Sequence, residues 1–296
     1  MANLKDIRTR IHSVQSTRQV TSAMKMVSAA KLKKAQNEVA KVRPFEAKLK
    51  QIVGALGSAV EGVELNYPAF RAVTKGGKTL VVAIASDKGL AGAFNSNIVK
   101  EVEALLATDL RAAAEAGGVA VLAIGKQTAR GLRARHVAVP VVEAKDFYDN
   151  FSLATAYSLV DDIRARFEAK EFGKVVMVYN EFVNTAVQNV RQVQLLPLSI
   201  DAQGEGGGVV GDFIVEPSRE EVLADLIPQA VRVRFLSVVK ESLASEHGAR
   251  MTSMHKATDN ATALLDELQL QYNKARQSAI TNELIEIVSG ASALNG

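Results

Sequence analysis

From Gln229 to Ala293 the chain runs for about sixty residues without a proline, and this stretch constrains everything else. Apolar or small residues return every three or four positions: Val233, Leu236, Leu243, His247, Met251, Met254, Ala261, Leu265, Leu268, Tyr272, Ala275, Ala279. That spacing draws one stripe along a helix and makes a seam of coiled-coil type. At 1.5 Å per residue such a helix is on the order of 90 Å long. A single compact domain cannot bury it along its length, so it requires a second helix or other chains beside it.

The opposite end supplies a partner. Residues 3–53 carry Ile7, Ile11, Val14, Met24, Val27, Leu32, Ala35, Val39 and Val42 at helical spacing. The stripe drifts near Arg18–Thr21 and resumes one step over at Val20, Met24 and Val27. Pro44 removes one backbone donor and is expected to kink the helix or end it near Arg43. Gly54 and Gly57 mark its far limit. Two seamed ends predict an antiparallel coiled coil of residues 1–57 and 218–296, closed by the whole middle of the chain. Each Leu, Ile or Met buried in that seam contributes about 1.5–3 kcal/mol.

The middle, 75–216, changes period. Lys78–Ser86, Val119–Gly125 and Val137–Val142 read as strands, with helices over Asn95–Ala116, Lys126–Arg135 and Ser152–Lys170 between and after them. Lys174–Val183 and Ala186–Leu198 read as a hairpin turning at Asn184–Thr185. Alternating helices and apolar strands predict a Rossmann-like α/β domain with a largely parallel sheet. Gly204–Gly211 reads as a loop and Asp212–Val215 as a short strand. After Pro217, Ser218-Arg-Glu-Glu221 has the form of a capping box opening the last helical segment. Pro228 is expected to kink that segment before the long run begins.

Composition narrows the function. There are no cysteines, which excludes disulfides, thiolate metal sites and thiol redox control. Aromatics are 5% and Trp is absent, a composition suited to close helix packing more than to an aromatic-lined pocket. The longest apolar run, about Leu80–Ala85, is far short of the roughly 20 residues of a membrane span. The opening segment has no apolar signal core, so a cytosolic or membrane-peripheral chain is expected. The net charge of +4 is unevenly spread. Residues 1–50 hold 12 Lys/Arg against 3 Asp/Glu, whereas 218–296 hold 8 against 10.

The basic first helix (Lys25, Lys31, Lys33, Lys34, Lys41, Arg43) admits three readings: a solvated face, a nucleic-acid contact, or an acidic protein partner. No aromatics are interleaved and no groove-reading module is present, which weighs against nucleic acid. Met24-Lys25-Met26 places two flexible thioethers beside a lysine, a pairing suited to an adaptable, moving contact.

Candidate reaction centres fall away. Gly76-Gly77-Lys78-Thr79 resembles the end of a phosphate loop, but position 72 is Ala and the segment precedes a strand instead of following one. Asp87-Lys-Gly-Leu-Ala-Gly92 is better placed, between a strand and a helix. G-x-x-G alone is weak, and a structural turn is the favoured reading. The histidines at 12, 136, 247 and 255 make no ligand spacing. No nucleophile elbow occurs. No catalytic, metal or cofactor-binding residue is assigned, and His247 and His255 are expected on the seam and its flank.

Three segments together resemble the gamma subunits of F-type ATP synthases, the central rotor shafts. The first runs from Ile11-His-Ser-Val14 through Thr21-Ser-Ala-Met24-Lys-Met-Val27 to Lys31. The second takes in Ala249-Arg250-Met251, Asn260-Ala261, Tyr272-Asn-Lys-Ala-Arg276-Gln277, Ile280-Thr281, Glu283, Glu286 and Gly290-Ala291. The third is the turn Asp87–Asn95. Ala91 departs from the cysteine of many members, and the cysteine pair of thiol-regulated chloroplast members is absent.

The resemblance implies a coiled coil standing inside a hexamer of alternating alpha and beta subunits. It implies an α/β foot resting on the epsilon subunit and the membrane c-ring, and a peripheral place on the cytoplasmic face of a bacterial plasma membrane. It implies rotation that couples proton flow to ATP synthesis in beta, with no bond chemistry or cofactor of the chain's own. Carried over, Met24 and Lys25 face an acidic loop of beta, and Arg250, Gln277 and Thr281 hydrogen-bond to alpha or beta. Gln277→Leu or Arg250→Ala is then expected to impair assembly or coupling more than folding. Two other classes stay open from the residues alone. One is a coiled-coil adaptor that dimerises through its seam and binds an acidic partner. The other is a nucleotide-dependent enzyme using the Asp87–Gly92 turn.

Overall fold

A computed structural model describes residues 4–58, 67–70, 77–149, 151–185, 187–198 and 215–294. The first helix, α1, runs Leu4–Ser58. A 3-10 turn at Pro68–Phe70 follows. Then come β1 (Thr79–Ile84), α2 (Phe94–Ala107), α3 (Arg111–Glu115), β2 (Val119–Ile124), α4 (Lys126–Ala134) and β3 (Val141–Glu143). The chain continues with α5 (Leu153–Glu168), β4 (Lys174–Phe182), β5 (Gln188–Leu196) and α6 (Arg219–Leu294). It is an α/β protein: long terminal helices with a Rossmann-like domain between them. It divides into two compact units, residues 29–250 and residues 1–28 with 251–296.

In the larger unit the strand order is β3-β2-β1-β4-β5. β1 pairs in parallel with β2 and β4, and β2 with β3. β5 closes the edge antiparallel to β4, from Val175 opposite Leu196 to Phe182 opposite Gln188. Every residue of β1 is buried, as a strand covered on both faces requires. Leu80, Val82 and Ile84 face α5 (Val160, Ile163, Phe167), the first half of α6 (Leu223, Val231, Phe235, Val239) and the end of α1 (Leu49, Val53, Leu56). Val81 and Ala83 face α2 (Ile98, Val99, Val102) and α4 (Leu132). Alternate residues of one strand thus feed two cores, because strand side chains have period two.

Within this unit α1 and α6 run antiparallel. Glu38 meets Lys240, and further along α1 the Glu46 carboxyl takes a hydrogen bond from Ser237, earlier on α6. In the smaller unit the helices share the seam residues Ile7, Met254, Ala261, Leu265 and Leu268, all buried. A hydroxyl pair, Thr258 Oγ1 to Thr21 Oγ1 at 2.9 Å, sits beside that seam.

Several expectations are corrected. α1 does not end near Arg43 but passes through Pro44 to Ser58; α6 begins at Arg219 and is continuous through Pro228. A proline removes one backbone bond from a helix, and packing on both sides of it carries the helix past. At 76 residues, α6 is on the order of 110 Å long. Ser218 caps its start: Glu221 N–H donates to Ser218 Oγ at 3.2 Å. Val20 and Val27 are 58% and 56% exposed, while Ser28 is buried; the polar Thr21–Thr258 pair takes the inward register that Val20 was expected to fill. Ala279 is exposed and so leaves the seam.

The helix expected over 95–116 is two, because the chain breaks at Thr108–Leu110. There the Thr108 hydroxyl bonds back to Ala104 O at 2.8 Å, the competition that short polar side chains offer to a helix. The third strand begins at Val141, four residues later than expected, because Pro140 has no N–H to give the ladder. Gly204–Gly211 and residues 212–214 lie outside the described residues, as do Gly76 and Ala186; Val215 is not in a strand.

Candidate functional site

In an open α/β sheet, ligands bind outside the carboxyl ends of the strands where the order reverses. Here that point lies between β1 and β4, and the turn Asp87–Gly92 hangs over it. Ser86, fully buried, anchors the turn. Its N–H donates to Asn95 Oδ1 at 3.1 Å, and its hydroxyl lies 2.7 Å from Lys88 O. Leu90 and Gly92 take left-handed φ values of 63° and 59°. Asp87 reaches across to the start of α4 and accepts the Lys126 N–H at 2.9 Å, as a carboxylate does at a helix amino end. Asn180 of β4 donates to Phe94 O at 3.1 Å and closes the floor.

Arg250 occupies the crevice. Its NH2 donates to Lys88 O at 3.1 Å and to Gly89 O at 3.3 Å, and its NH1 donates to Glu246 Oε1 at 2.6 Å. A phosphate cradle needs backbone N–H groups pointing at the ligand. This turn points carbonyl oxygens inward, and they are taken by an arginine of the same chain. The turn is therefore built as a fastening for α6, and its geometry is opposite to that of a nucleotide site.

Burial pushes the Glu246 carboxyl above its ordinary range, and Arg250 opposes the shift. Burial, the Arg250 charge and the Lys31 charge together hold the His247 imidazole down to about 4. Burial also pushes the Tyr148 phenol well up, aided by the nearby Glu246 and Asp87. His247 is half-buried on α6, and its Nδ1 has no hydrogen-bond partner. His255, exposed, lies 3.4 Å from Asp259.

Further braces join α6 to the body. Arg232 grips Asp161 of α5 in a fork, at 2.7 and 2.9 Å, and lies over the Tyr157 ring. Arg43 Nε donates to Glu241 Oε1 at 2.6 Å. With the Glu38–Lys240 pair, these fix α6 to its neighbours at several angles between Arg232 and Arg250, a span of roughly 27 Å of helix. No motif pointed to Glu241 or Asp161, because their partners lie far away in sequence. The Glu246–Arg250 spacing of four was a usable signal for an intrahelical pair.

The five residues carried over from the resemblance fall in two groups. Met24 and Lys25 are half-buried on α1, and Gln277 and Thr281 are exposed on α6. Arg250 is 8% exposed, with its donors committed to Glu246 and the turn. Every residue from Arg276 to Ala291 is exposed. Ile280, Leu284, Ile285, Ile287 and Val288 show 47–63% of their surface to solvent. Five exposed apolar residues in nine positions mark a surface made for contact. Among the described residues, no group of three His, Asp or Glu converges as a metal site.

Fold and site together define a class: a subunit whose longest helix is bolted to an α/β body and ends in a bare apolar segment for other chains to cover. The comparisons agree. The family model for ATP synthase matches residues 3–294. The ATP synthase gamma chain of Flavobacterium johnsoniae is 47% identical over the full length of both chains, and that of Christiangramia forsetii is 43% identical over the same extent. Among solved structures, a chain of the Euglena gracilis mitochondrial ATP synthase assembly of OSCP, F1 and c-ring has the same fold. It aligns with a TM-score of 0.67 at 19% identity, covering 98% of this chain and 94% of that one. A chain of the Tetrahymena thermophila central stalk and c-ring aligns at 0.55 and 25% identity, covering 80% and 99%. This chain belongs to the ATP synthase gamma-chain family, the rotor subunits of the central stalk.

Proposed function

We propose that this chain couples proton translocation through the membrane c-ring to ATP synthesis in the beta subunits by rotating inside a hexamer of alpha and beta. Division of labour follows the segments 1–57, 75–216 and 218–296: two shaft helices and a foot that meets epsilon and the ring. The chain performs no bond chemistry and holds no cofactor. It works at the cytoplasmic face of a bacterial plasma membrane, attached through its partners; no helix among the described residues is long and apolar enough to cross a membrane.

The observation that carries this reading is the bare segment Arg276–Ala291 at the end of a helix braced to its body from Arg232 to Arg250. A bare apolar end needs a sleeve, and multiple braces resist twisting of the helix against the body. An asymmetric shaft presents different faces to equivalent catalytic sites, so each site is biased by a different contact free energy. Met24, Lys25, Gln277 and Thr281 contact the partners directly. Arg250 contributes by holding the Asp87–Gly92 turn to the shaft.

The test is recovery of the tagged full chain from native membranes. Three copies each of two larger nucleotide-binding chains per copy of this one, with ATPase activity, is the expected outcome. Recovery alone, or as a homodimer without ATPase activity, would favour the adaptor reading.

A further inference from the structure

A cavity of about 260 Å³ opens where α1, α6 and the end of β5 meet, remote from the Arg250 crevice. Its floor is apolar: Leu49 and Val53 of α1, Ala230 and Val233 of α6, and Leu198. Its rim is polar: Glu46, Lys50, Gln194 and Arg234. The residues come from spacings 46, 49, 50, 53 and 230, 233, 234, one face of each helix. Two rim groups are already engaged. Glu46 accepts from Ser237, and Gln194 Nε2 donates to Pro197 O at 2.7 Å. The cations are less committed: Lys50 is exposed, and Arg234 Nε is buried without a hydrogen-bond partner.

We propose that this cavity binds a small amphipathic monocarboxylate, its head on Arg234 and Lys50 and its alkyl tail on the Leu49–Val53–Val233 floor. Rim charge sets the sign of the ligand: Arg234 and Lys50 both act on the single Glu46 carboxylate, and two cations against one anion leave the rim one positive charge in excess. A planar guanidinium matches a carboxylate in two-pronged geometry. The volume sets the size. At about 30 Å³ for each water-sized group, 260 Å³ holds about nine non-hydrogen atoms, which suits a chain of six to eight carbons. A drug-sized ligand needs roughly 300 Å³ or more.

The experiment is titration of the purified full-length chain with octanoate, using octylamine and octanol as probes of equal tail length. Saturable 1:1 octanoate binding is expected, with the other two at least ~10-fold weaker. Arg234→Met should weaken octanoate at least ~10-fold, the scale of one charge-assisted hydrogen bond. Val233→Phe, which fills the floor, should abolish binding. A diazirine analogue of octanoate should label residues among Leu49, Val53 and Val233. Circular dichroism checks that each variant is folded. Should Arg234→Met unfold, Lys50→Met on the exposed rim decides, with an expected loss of ~3-fold. Absence of saturable binding to the unmodified chain, equal binding of octylamine, or labelling elsewhere would overturn the proposal.

Discussion

Replacing Arg250 with Met keeps an unbranched apolar stem, shorter than the arginine, and removes its charge and donors. Three consequences follow. The Glu246 carboxylate loses its 2.6 Å partner while remaining buried. The carbonyls of Lys88 and Gly89 lose the Arg250 donors, and Lys88 O keeps the Ser86 hydroxyl. The turn at the mouth of the sheet is released from α6. Removing one member of a buried ion pair costs about 3–5 kcal/mol, mainly because the other charge is left unpaired. A marginal domain has only about 5–15 kcal/mol to lose.

The cost depends on pH in a definite direction. Burial raises the folded-state pKa of Glu246 above its ordinary 4.5, and without Arg250 the shift grows. Between 4.5 and the folded value, the unfolded chain ionises first. Stability of the variant therefore falls as pH rises through that window, and the full cost is present above the folded value. Urea unfolding of the full-length chain, followed by circular dichroism, should show the larger loss at pH 7 and a smaller one at pH 5. Glu246→Gln in the Arg250→Met background should recover more than half of the loss, because the orphaned charge is gone. Amide exchange at residues 87–92 should rise in both variants. A loss under ~1 kcal/mol at pH 7, or strict additivity of the two substitutions, would refute the clamp. The buried pair changes what is expected of Arg250: its removal affects folding as well as coupling.

Four other substitutions separate stability from coupling. His247 is held at about 4 against 6.5 when unfolded, so it resists protonation in the folded state. Stability should fall by up to ~3 kcal/mol as pH drops from 6.5 to 4, less where solvent screens the ring; His247→Leu should flatten that slope, and an unchanged slope would refute the assignment. Ser218→Ala removes the cap of α6 and should cost about 1 kcal/mol, read as a lower melting temperature; no change would mean the cap carries no load. Gln277→Leu, at an exposed position, and Met24→Lys should leave the melting temperature of the chain nearly unchanged while lowering ATP yield per proton in the assembled enzyme. Unaltered coupling in both would remove these residues from the proposed partner surface.

The sequence by itself determined the two seamed ends, the α/β middle with each of the five strands among the described residues, and the cap at Ser218. These are local signals: a period of 3.6 or 2, and a Ser followed by Glu three residues later. α1 does not end before Pro44 and α6 is continuous through Pro228, because one missing backbone bond is outweighed by tertiary packing that no local window contains. The inward register at Thr21 and Ser28 was missed for the same reason, since a hydroxyl in the seam depends on Thr258, 237 residues away. The resemblance singled out Arg250 and directed its donors to alpha or beta. Tertiary structure alone decided that they fall on the carbonyls of residues 88 and 89, because that contact exists only after the sheet's strand order has brought the turn under α6. The cavity has the same origin: Arg234, Lys50 and Leu198 are distant in sequence and adjacent only once two helices and an edge strand have packed.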